Sequence, residues 1–423
     1  MKLAVIGAGS TYTPELVSGL MREQERLDVR ELVLHDIDVA RLDVVGGLAR
    51  RMLHRQDYHG AFALTAELDR ALEGAEFVLI QLRVGGQAAR LRDETIPAAC
   101  GCVGQETTGA GGLAKAMRTV PVVLEIAERA RELAADGAWI IDFTNPVGIV
   151  TRALLDAGHR AIGMCNVAIT FQRRIAGLLR VAPERVLIDQ VGLNHLTWIR
   201  AVRLDGQDVL PDLLQSFGEE LAHEIELPRA LLDGLGAIPS YYLRYFYAER
   251  EVVGEQQVDP PRAQVVAEIE RQLLELYRDP ALAEKPALLE QRGGAYYSDA
   301  AVALVASLAA DSGDTQVVDV HNRGILAGLA DDDVVEVPAR IGTTGAEPIP
   351  QQPLAPELLG LVQHVAAYER LAAEAARAGD LRIARKALIT NPLVREYALA
   401  DDLLEPLLAG DTRSPAAPTQ VAR

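Results

Sequence analysis

The chain has 423 residues, of which 49% are hydrophobic and 24% are charged, a composition typical of a globular enzyme. Because this length exceeds the size at which single hydrophobic cores stop growing, we expect two closely packed domains. The formal net charge of -18 opposes general affinity for nucleic acid or an anionic membrane surface, and neither is an expected partner.

The cysteine content and the absence of export signals indicate the compartment. Three cysteines, Cys100, Cys102 and Cys165, are too few for a disulfide framework. The first apolar run leads directly into a glycine turn and shows no signal-peptide pattern. No apolar stretch approaches the roughly 18 residues of a membrane-spanning helix. These features predict a cytoplasmic protein.

The first part of the chain alternates between strand and helix patterns. An apolar strand at residues 2–6 leads into a turn, after which Thr13 as N-cap and Pro14 in the first turn begin a helix. Further apolar strands are predicted at residues 31–34, 76–80 and 138–142. The alternation predicts an α/β fold with an N-terminal Rossmann-type, doubly wound parallel sheet.

Later segments are more helical. A long helix with one apolar side is predicted over about residues 113–135. Residues 196–202 form a strand pattern, and Asp205 followed by Gly206 is a hairpin-turn signal. Helical patterns follow at residues 263–277 and 356–376. We therefore expect the C-terminal domain to be mixed α/β and helical.

The predicted division of the chain follows from this change of pattern. Residues 1–170 are expected to form a Rossmann-like domain, and residues 171–423 a second domain. Within the second domain, residues 410–423 read as a frayed tail.

The loop after the first strand has the composition of a dinucleotide-binding turn. Gly7 and Gly9 allow close approach to a pyrophosphate, and an acid that ends the second strand, Asp36, is placed to bind ribose hydroxyls. An acid there favours NAD over NADP. With Ser10 and Thr11, these are the candidate cofactor-binding residues.

Two alternatives stay open at this end of the sheet. Tyr12 occupies the place of the third fingerprint glycine, so the loop could be a tight turn that binds nothing. Asn145, in the sequence Thr-Asn-Pro after a strand, is a candidate contact for substrate or nicotinamide, although a simple Asn-Pro turn is equally consistent with the pattern.

Cys165 and His195 are candidate metal ligands. A thiolate and an imidazole in a chain that also carries a nucleotide loop suggest a divalent metal beside a redox cofactor. Two ligands are fewer than a structural zinc site needs, and buried core residues are the alternative interpretation.

Six motifs lie in order along the chain, at residues 9–16, 81–94, 104–112, 144–146, 165–167 and 194–195. Together they closely resemble those of one enzyme family, the NAD- and metal-dependent glycoside hydrolases of family 4. The resemblance spans nearly the whole chain and thins after about residue 350. Asparagine after the cysteine, here Asn166, resembles the 6-phospho-β-glucosidase branch, whereas aspartate there is typical of 6-phospho-α-glucosidases. This family is an exception to glycoside hydrolysis by two carboxylates.

The resemblance implies a redox-assisted elimination. Hydride passes from carbon 3 of the sugar to NAD, and the resulting ketone acidifies the proton on carbon 2. A base removes that proton, the glycosidic oxygen leaves carbon 1, water adds, and the hydride returns. A divalent metal, expected to be manganese, would polarise the oxygen on carbon 3 and stabilise the enolate.

The resemblance also implies roles for the two domains and for individual residues. Residues 1–170 would bind NAD, and residues 171–423 would serve substrate binding, metal binding and oligomerisation. Cys165 and His195 would hold the metal, and Tyr242 would be the base, with Tyr241 as the alternative. Without the resemblance, these tyrosines would read as part of an aromatic core.

Substrate contacts implied by the resemblance are Arg90, Arg292 and Ser10 for the phosphate, together with Asn145 and Asn166 for the sugar. Two further arginines of the same region, Arg83 and Arg92, are instead expected to be solvated or paired with Asp93 and Glu94.

Two residues depart from the family pattern, because Ala168 stands where proline is usual and Thr170 where a small turn residue is common. These changes could loosen the loop that carries Cys165.

The expected partner is a small phosphorylated glycoside, and a homodimer or homotetramer is expected.

Three alternatives to the expected activity remain. The first is another specificity in the same family, for the α-anomer or an unphosphorylated glycoside. The second is an NAD-dependent 2-hydroxy-acid dehydrogenase with His195 or His321 as its acid and base. The third is a catalytically silent sensor of sugar phosphates.

Overall fold

A computed structural model describes residues 1–294 and 296–409. Six strands from the first half of the chain form a parallel sheet in the order β3-β2-β1-β4-β5-β6. They are β1 (Lys2–Ile6), β2 (Glu31–His35), β3 (Ala61–Thr65), β4 (Phe77–Ile80), β5 (Trp139–Asp142) and β6 (Ala161–Gly163). This is the strand order of doubly wound dinucleotide-binding sheets, so the predicted Rossmann-type sheet is confirmed.

Helices connect these strands and cover both faces of the sheet. They are α1 (Thr13–Arg22), α2 (Val39–Arg55), α3 (Leu68–Leu72), α4 (Gly86–Ala99), α5 (Gly109–Leu133), α6 (Val147–Asp156) and α7 (Val167–Leu179). Alternate residues of β1 face opposite cores: Leu3 and Val5 pack in one, and Ala4 and Ile6 in the other. Burial on both faces explains why β1 forms a continuous apolar run in the sequence.

Strands from the second half of the chain extend the same sheet with antiparallel pairing. They are β7 (Val186–Leu193), β8 (Leu196–Leu204), β9 (Gln207–Asp208), β10 (Ile238–Pro239), β11 (Asp314–His321), β12 (Val334–Gly342) and β13 (Gly345–Pro348). The join is made at Asp319 of β11, which pairs with Gly163 of β6. The predicted strand at 196–202 and its hairpin turn are both confirmed, because Leu204 pairs with Gln207.

The remaining described helices pack around this extension. They are α8 (Leu210–Glu224), α9 (Arg229–Leu235), α10 (Arg244–Tyr247), α11 (Glu249–Gln256), α12 (Arg262–Tyr277), α13 (Tyr297–Ala310), α14 (Pro356–Ala378), α15 (Leu381–Thr390) and α16 (Tyr397–Leu408). Short 3-10 helices lie at Pro183–Arg185, Tyr241–Leu243 and Ala287–Arg292. The mixed α/β and helical character predicted for the second half is therefore observed.

The predicted domain boundary near residue 170 falls inside α7, and the sheet continues past it. A division of the chain at that point stays a prediction. The predicted frayed tail, residues 410–423, lies outside the described residues. None of the described helices is long and apolar enough to cross a lipid bilayer.

Candidate active site

A cavity of about 1830 Å³ lies where the parallel strands end. Its walls include loop residues that follow β1, β2, β4, β5 and β6, together with residues from the C-terminal half of the chain. Open α/β sheets bind their ligands at the carboxyl ends of their strands, so the sheet places this cavity where a cofactor and substrate are expected.

The glycine loop borders the cavity and is shaped by close backbone contacts. Gly7 has φ of 89°, and a Cβ there would lie 2.6 Å from the carbonyl oxygen of Gln81. A Cβ on Gly9 would lie 2.7 Å from Oδ2 of Asp36. The backbone N–H of Gly9 donates to that same oxygen at 2.7 Å. Gly7 is therefore required sterically, whereas a side chain at Gly9 would displace the Asp36 carboxylate. Asp36 orders the loop as well as facing the cavity.

The next two loop residues differ in position. Ser10 lines the cavity, and its hydroxyl accepts a hydrogen bond from the backbone N–H of Tyr12 at 3.2 Å. Thr11 is completely buried, and its side chain is not among the groups that line the cavity. The structure therefore brings Gly7, Gly9, Ser10 and Asp36 to the cavity, but not the side chain of Thr11.

Helix α1 begins one residue differently from the prediction. Tyr12 occupies the N-cap position instead of Thr13. The Thr13 hydroxyl donates to the carbonyl of Ala8 at 2.9 Å and accepts from the amide of Gln81, also at 2.9 Å. The expected N-cap was wrong because this hydroxyl holds the glycine loop closed. The loop nevertheless fits a dinucleotide, with a glycine cradle, a helix N-terminus and an acid at one cavity wall.

Asn145 lines the same cavity beyond the end of β5. Its Oδ1 atom is buried and has no hydrogen-bond partner within the described residues. A buried amide oxygen without a partner is costly unless a ligand or water satisfies it. This atom is therefore suited to accept a hydrogen bond from a hydroxyl of a bound sugar.

Cys165 and His195 are held by different parts of the extended sheet. Cys165 follows β6 and is 5% exposed, with its Sγ 3.9 Å from Oδ1 of Asn166. His195 lies in the tight turn between β7 and β8, with φ of 64°, and is 6% exposed. Its Nδ1 lies 2.9 Å from the hydroxyl of Thr107.

The protonation states of these two side chains differ in how they affect metal binding. Burial, reinforced by Lys115, lowers the pKa of His195 to about 3, so its imidazole is neutral at physiological pH. Burial, together with Glu336, raises the pKa of the Cys165 thiol well above its usual value. Neutral imidazole is the form that binds metals, and a bound cation would offset the cost of ionising the thiol.

In the part of the chain that the structure describes, Cys165 and His195 have few neighbouring side chains that could bind the same metal. Among the described residues, no three or more His, Cys, Asp or Glu side chains are grouped so that they could hold a metal. A cation held by Cys165 and His195 would therefore keep coordination positions for substrate oxygens or water. Two protein ligands are fewer than a closed structural metal site needs.

Two tyrosines lie beside this pair. The ring of Tyr242 stacks on the imidazole of His195 with centroids 3.6 Å apart and an interplanar angle of 10°. The ring of Tyr241 lies 4.6 Å from that of Tyr242, and both residues line the cavity. Burial, followed by the neighbouring Tyr241 and Cys165, raises the pKa of Tyr242 well above its usual value. The phenol is therefore protonated in the protein alone.

One group of charged residues centres on Glu106. Lys115 Nζ lies 2.7 Å from this carboxylate, Arg90 Nε lies 3.2 Å away, and Arg83 also pairs with it. Burial alone would raise the pKa of Glu106, but these three cations hold it well below its usual value. Arg90 also pairs with Glu94 at 2.6 Å.

A second group centres on Glu270, which pairs with Arg292 at 3.0 Å and with Arg41 at 3.6 Å. Arg292 also lies over the ring of Tyr12, with 5.5 Å from its guanidinium carbon to the ring centroid. The hydroxyl of Tyr12 contacts the carbonyl of Gly294. Tyr12, which replaces the third glycine of the fingerprint, thus connects the cofactor loop to the segment that carries Arg292.

We call these residues together the cation network. It consists of Arg41, Arg83, Arg90, Lys115 and Arg292 with the carboxylates Glu94, Glu106 and Glu270. All five cations line the cavity. Five cations against three carboxylates leave a local excess of two positive charges in a chain whose net charge is -18. A phosphate dianion matches that excess.

The expected pairing of Arg83 was wrong. It pairs with Glu106 at the cavity wall, and Asp93 pairs with Arg118 instead. The sequence reasoning also missed Lys115, because a single lysine within the long α5 pattern does not reveal that the helix face around it is buried. Its pKa is lowered by burial to about 8, although Glu106 opposes this shift.

The segment after Cys165 is held in place despite the two departures from the family pattern, Ala168 and Thr170. Thr170 donates to the carbonyl oxygen of Asn166 from both its backbone N–H, at 3.0 Å, and its hydroxyl, at 2.7 Å. Ala168 is buried in the first turn of α7. The hydroxyl of Thr170 therefore adds a bond to the residue that follows Cys165.

The sequence of the chain matches the models of one enzyme family and is similar to the sequences of two relatives. Residues 2–181 match the model of family 4 glycosyl hydrolases, and residues 190–394 match that of the family 4 C-terminal domain. The chain is 41% identical to the "Probable 6-phospho-beta-glucosidase" of Bacillus subtilis (strain 168), with 96% of each chain covered. It is 37% identical to the 6-phospho-beta-glucosidase of Escherichia coli (strain K12), covering 93% of this chain and 91% of that protein.

The fold of the chain is also similar to that of a solved structure. The 6-phospho-beta glucosidase of Thermotoga maritima, in a crystal form with manganese, NAD+ and glucose-6-phosphate, superposes with a TM-score of 0.90. It is 34% identical in sequence and covers 96% of this chain and 97% of that one. The two family models together cover most of the chain, and both halves of the site lie within the matched residues. The chain therefore belongs to family 4 of the glycosyl hydrolases.

Proposed function

We propose that this protein is a 6-phospho-β-glucosidase that hydrolyses 6-phospho-β-glucosides to glucose 6-phosphate and an aglycone, using NAD and a divalent metal such as manganese. The observation that carries the proposal is the convergence of the glycine loop, Asn166 and the cation network on one cavity. Relatives that bear this name, at 41% and 37% identity over nearly the full chain, support it.

NAD would supply reversible hydride transfer at the sugar, and a divalent cation held by Cys165 and His195 would supply positive charge that favours ionised oxygens. Gly7, Gly9 and Ser10 would hold the cofactor, with Asp36 as the acceptor for ribose hydroxyls. The neutral imidazole of His195 supports its assignment as a ligand.

Tyr242 would accept the proton from carbon 2 of the sugar. Its stacking on His195 fixes the ring beside the proposed ligand pair, which favours Tyr242 over Tyr241. Burial keeps the phenol protonated in the protein alone, so its activity as a base would depend on nearby positive charge. That dependence would confine proton removal to the fully assembled site.

The cation network would bind the 6-phosphate. Arg90 and Arg292 present planar guanidinium groups that can bind two phosphate oxygens at once, and each is held in place by a buried carboxylate. Asn145 and Asn166, which line the same cavity, would orient the sugar hydroxyls. The positive excess favours a phosphorylated over a neutral substrate.

The specificity is tested with four aryl glucosides: the β- and α-anomers, each with and without the 6-phosphate. The purified, reduced protein receives NAD and manganese, and aglycone release is followed. We expect cleavage of the 6-phospho-β-glucoside at a rate at least about 100-fold above the other three, as suits loss of a charged or stereochemical contact. Preference for the α-anomer or a neutral glucoside would contradict the proposed specificity.

Two further measurements on the same protein distinguish the alternative functions. Lasting formation of NADH from a 2-hydroxy acid without metal would favour a dehydrogenase. Thermal stabilisation by glucose 6-phosphate without turnover of any glycoside would favour a sensor. A homodimer or homotetramer is also proposed, and sedimentation equilibrium of the full chain measures it directly.

A further inference from the structure

A chain of hydrogen bonds runs from Gln105 through Thr107 to His195. Oε1 of Gln105 accepts from the backbone N–H of Thr107 and lies 2.8 Å from its hydroxyl oxygen. That hydroxyl oxygen lies 2.9 Å from Nδ1 of His195. Gln105 and Thr107 are partly buried in the loop before α5, outside the glycine loop and the cation network.

The direction of each bond in this chain is fixed by its first member. A backbone N–H can only donate, so the Gln105 atom that faces it is the carbonyl oxygen and not the amide nitrogen. The same oxygen can only accept, so the Thr107 hydroxyl must donate its single proton to it. The hydroxyl oxygen then faces His195 with lone pairs alone, and Nδ1 must carry the proton.

Tyr245 supports this orientation of the Gln105 amide. Burial raises the pKa of Tyr245, whereas a hydrogen bond from the Gln105 side chain opposes that rise. Only an amide N–H stabilises a phenolate in this way, which is consistent with the nitrogen facing Tyr245 and the oxygen facing Thr107.

We propose that Gln105 and Thr107 are positioning residues that fix His195 in the tautomer with hydrogen on Nδ1, which leaves the lone pair of Nε2 free to bind the metal. Metal-binding histidines commonly donate their other ring N–H to a neighbouring acceptor, and this contact sets tautomer and ring direction. The proposal rests on the proposed function, because it assigns Nε2 of His195 as the metal-binding atom.

The tautomer itself is measured without metal. Long-range proton–nitrogen correlation spectra of the full-length, ¹⁵N-histidine-labelled protein with NAD distinguish the two neutral forms, and the signals that disappear in His195→Gln identify His195. We expect the Nδ1–H form in the unsubstituted protein. In Thr107→Val, which removes the acceptor at nearly equal volume, we expect that form to lose its predominance. An Nε2–H imidazole in the unsubstituted protein would overturn the inference.

Metal affinity is measured by titrating Mn²⁺ into the NAD-bound variants and following free Mn²⁺ by electron paramagnetic resonance. Loss of the acceptor in Thr107→Val should weaken binding by about 10–100-fold, the usual effect of removing such a contact. Thr107→Ser keeps the hydroxyl and should stay within about 3-fold of the unsubstituted protein, since the same acceptor remains. Equal Mn²⁺ affinity in the valine and serine variants would overturn the inference.

The two proposals fail in different ways. Thermal unfolding and NAD affinity of each variant report whether it is folded. If the valine protein is not folded, the tautomer of His195 in the unsubstituted protein still tests the inference. Unchanged Mn²⁺ binding by His195→Gln would overturn the metal site of the proposed function. Loss of binding in that variant, combined with an Nε2–H tautomer in the unsubstituted protein, would overturn only the role of Gln105 and Thr107.

Discussion

The aromatic rings of His195 and Tyr242 stack in parallel, with their centroids 3.6 Å apart and an angle of 10° between their planes. The two residues lie on different parts of the chain, one in the β7–β8 turn and the other in a short 3-10 helix. Their contact places a proposed metal ligand against a proposed proton acceptor. Movement of either ring would therefore affect both functions.

The first prediction concerns the hydroxyl of Tyr242. Tyr242→Phe keeps the ring that stacks on His195 and removes the proton-accepting oxygen, so kcat should fall by about 10²–10⁴-fold. Mn²⁺ and NAD affinities should change by less than about 3-fold, because the stacking surface is preserved. Steady-state aglycone release gives kcat. Tyr241→Phe is the matched control, and a larger loss in it than in Tyr242→Phe would reverse the assignment.

The second prediction concerns the phosphate contact of Arg292. Arg292→Lys keeps a positive charge near Glu270 but loses the planar fork, so KM for the 6-phospho-β-glucoside should rise by about 10–100-fold. Initial rates over a range of substrate concentrations measure this effect. Arg278→Lys, at an exposed position after α12, serves as control. An unchanged KM in Arg292→Lys would remove this residue from the phosphate site.

The third prediction concerns Asp36, whose carboxylate accepts from the backbone N–H groups of both Gly9 and Asp38. Asp36→Asn replaces one acceptor oxygen with a donor and removes the charge, so the Kd for NAD should rise by about 10-fold or more. Discrimination against NADP should fall as well. Calorimetric titration measures both, with Asp43→Asn, exposed on α2, as the control. Equal NAD affinities in the two variants would exclude Asp36 from the cofactor site.

The fourth prediction concerns stability and pH. Burial raises the pKa of Glu369 to about 8, although Arg152 opposes this shift. The folded protein therefore keeps a proton on Glu369 that the unfolded chain has lost above pH 4.5. The stability contributed by this group is present at low pH and is lost as the pH rises towards 8.

Glu369→Gln mimics the protonated acid, so its stabilising effect should grow between pH 5 and pH 8 by at least about 1 kcal/mol, given that one pKa unit corresponds to about 1.4 kcal/mol. Urea unfolding at both pH values measures the difference between the variant and the unsubstituted protein. Glu374→Gln, exposed on the same helix, should show no such pH dependence. A gain in stability that shrinks from pH 5 to pH 8 would contradict the assigned pKa direction.

Four of the six parallel strands, β1, β2, β4 and β5, were predictable because they are buried on both faces, whereas the partly exposed β3 and the three-residue β6 were not predicted. Residues such as Val5 and Leu34 give apolar runs that periodicity analysis recognises directly. The antiparallel extension was not recognised as part of the same sheet. Its strands β11 and β12 carry Asp319 and Glu336, which are buried and joined by Asn194 and are not exposed at a sheet surface. Buried acids interrupt the apolar pattern by which such strands are found.

Some residues of the candidate site could likewise be predicted from the sequence, and others could not. Gly7, Gly9 and Asp36 could be predicted because each lies just after one of the first two apolar strands, as in a dinucleotide-binding fingerprint. The pairing of Arg292 with Glu270 could not, because it joins a 3-10 helix to α12 through tertiary packing that the spacing along the chain does not specify. Residue type alone made Cys165 only a candidate metal ligand. Its role and that of Tyr242 were assigned through resemblance to the family and remain predictions for mutagenesis.

The central claim, that glycoside cleavage here depends on a redox cofactor and a metal, is tested most directly by removing both. The protein is freed of NAD and metal, verified by absorbance and elemental analysis, and assayed with the aryl 6-phospho-β-glucoside before and after each is restored. We expect less than about 1% of full activity until both are present, because each supplies a separate part of the reaction. We also expect no net formation of NADH during cleavage. Cleavage at the full rate by the stripped protein would contradict the account.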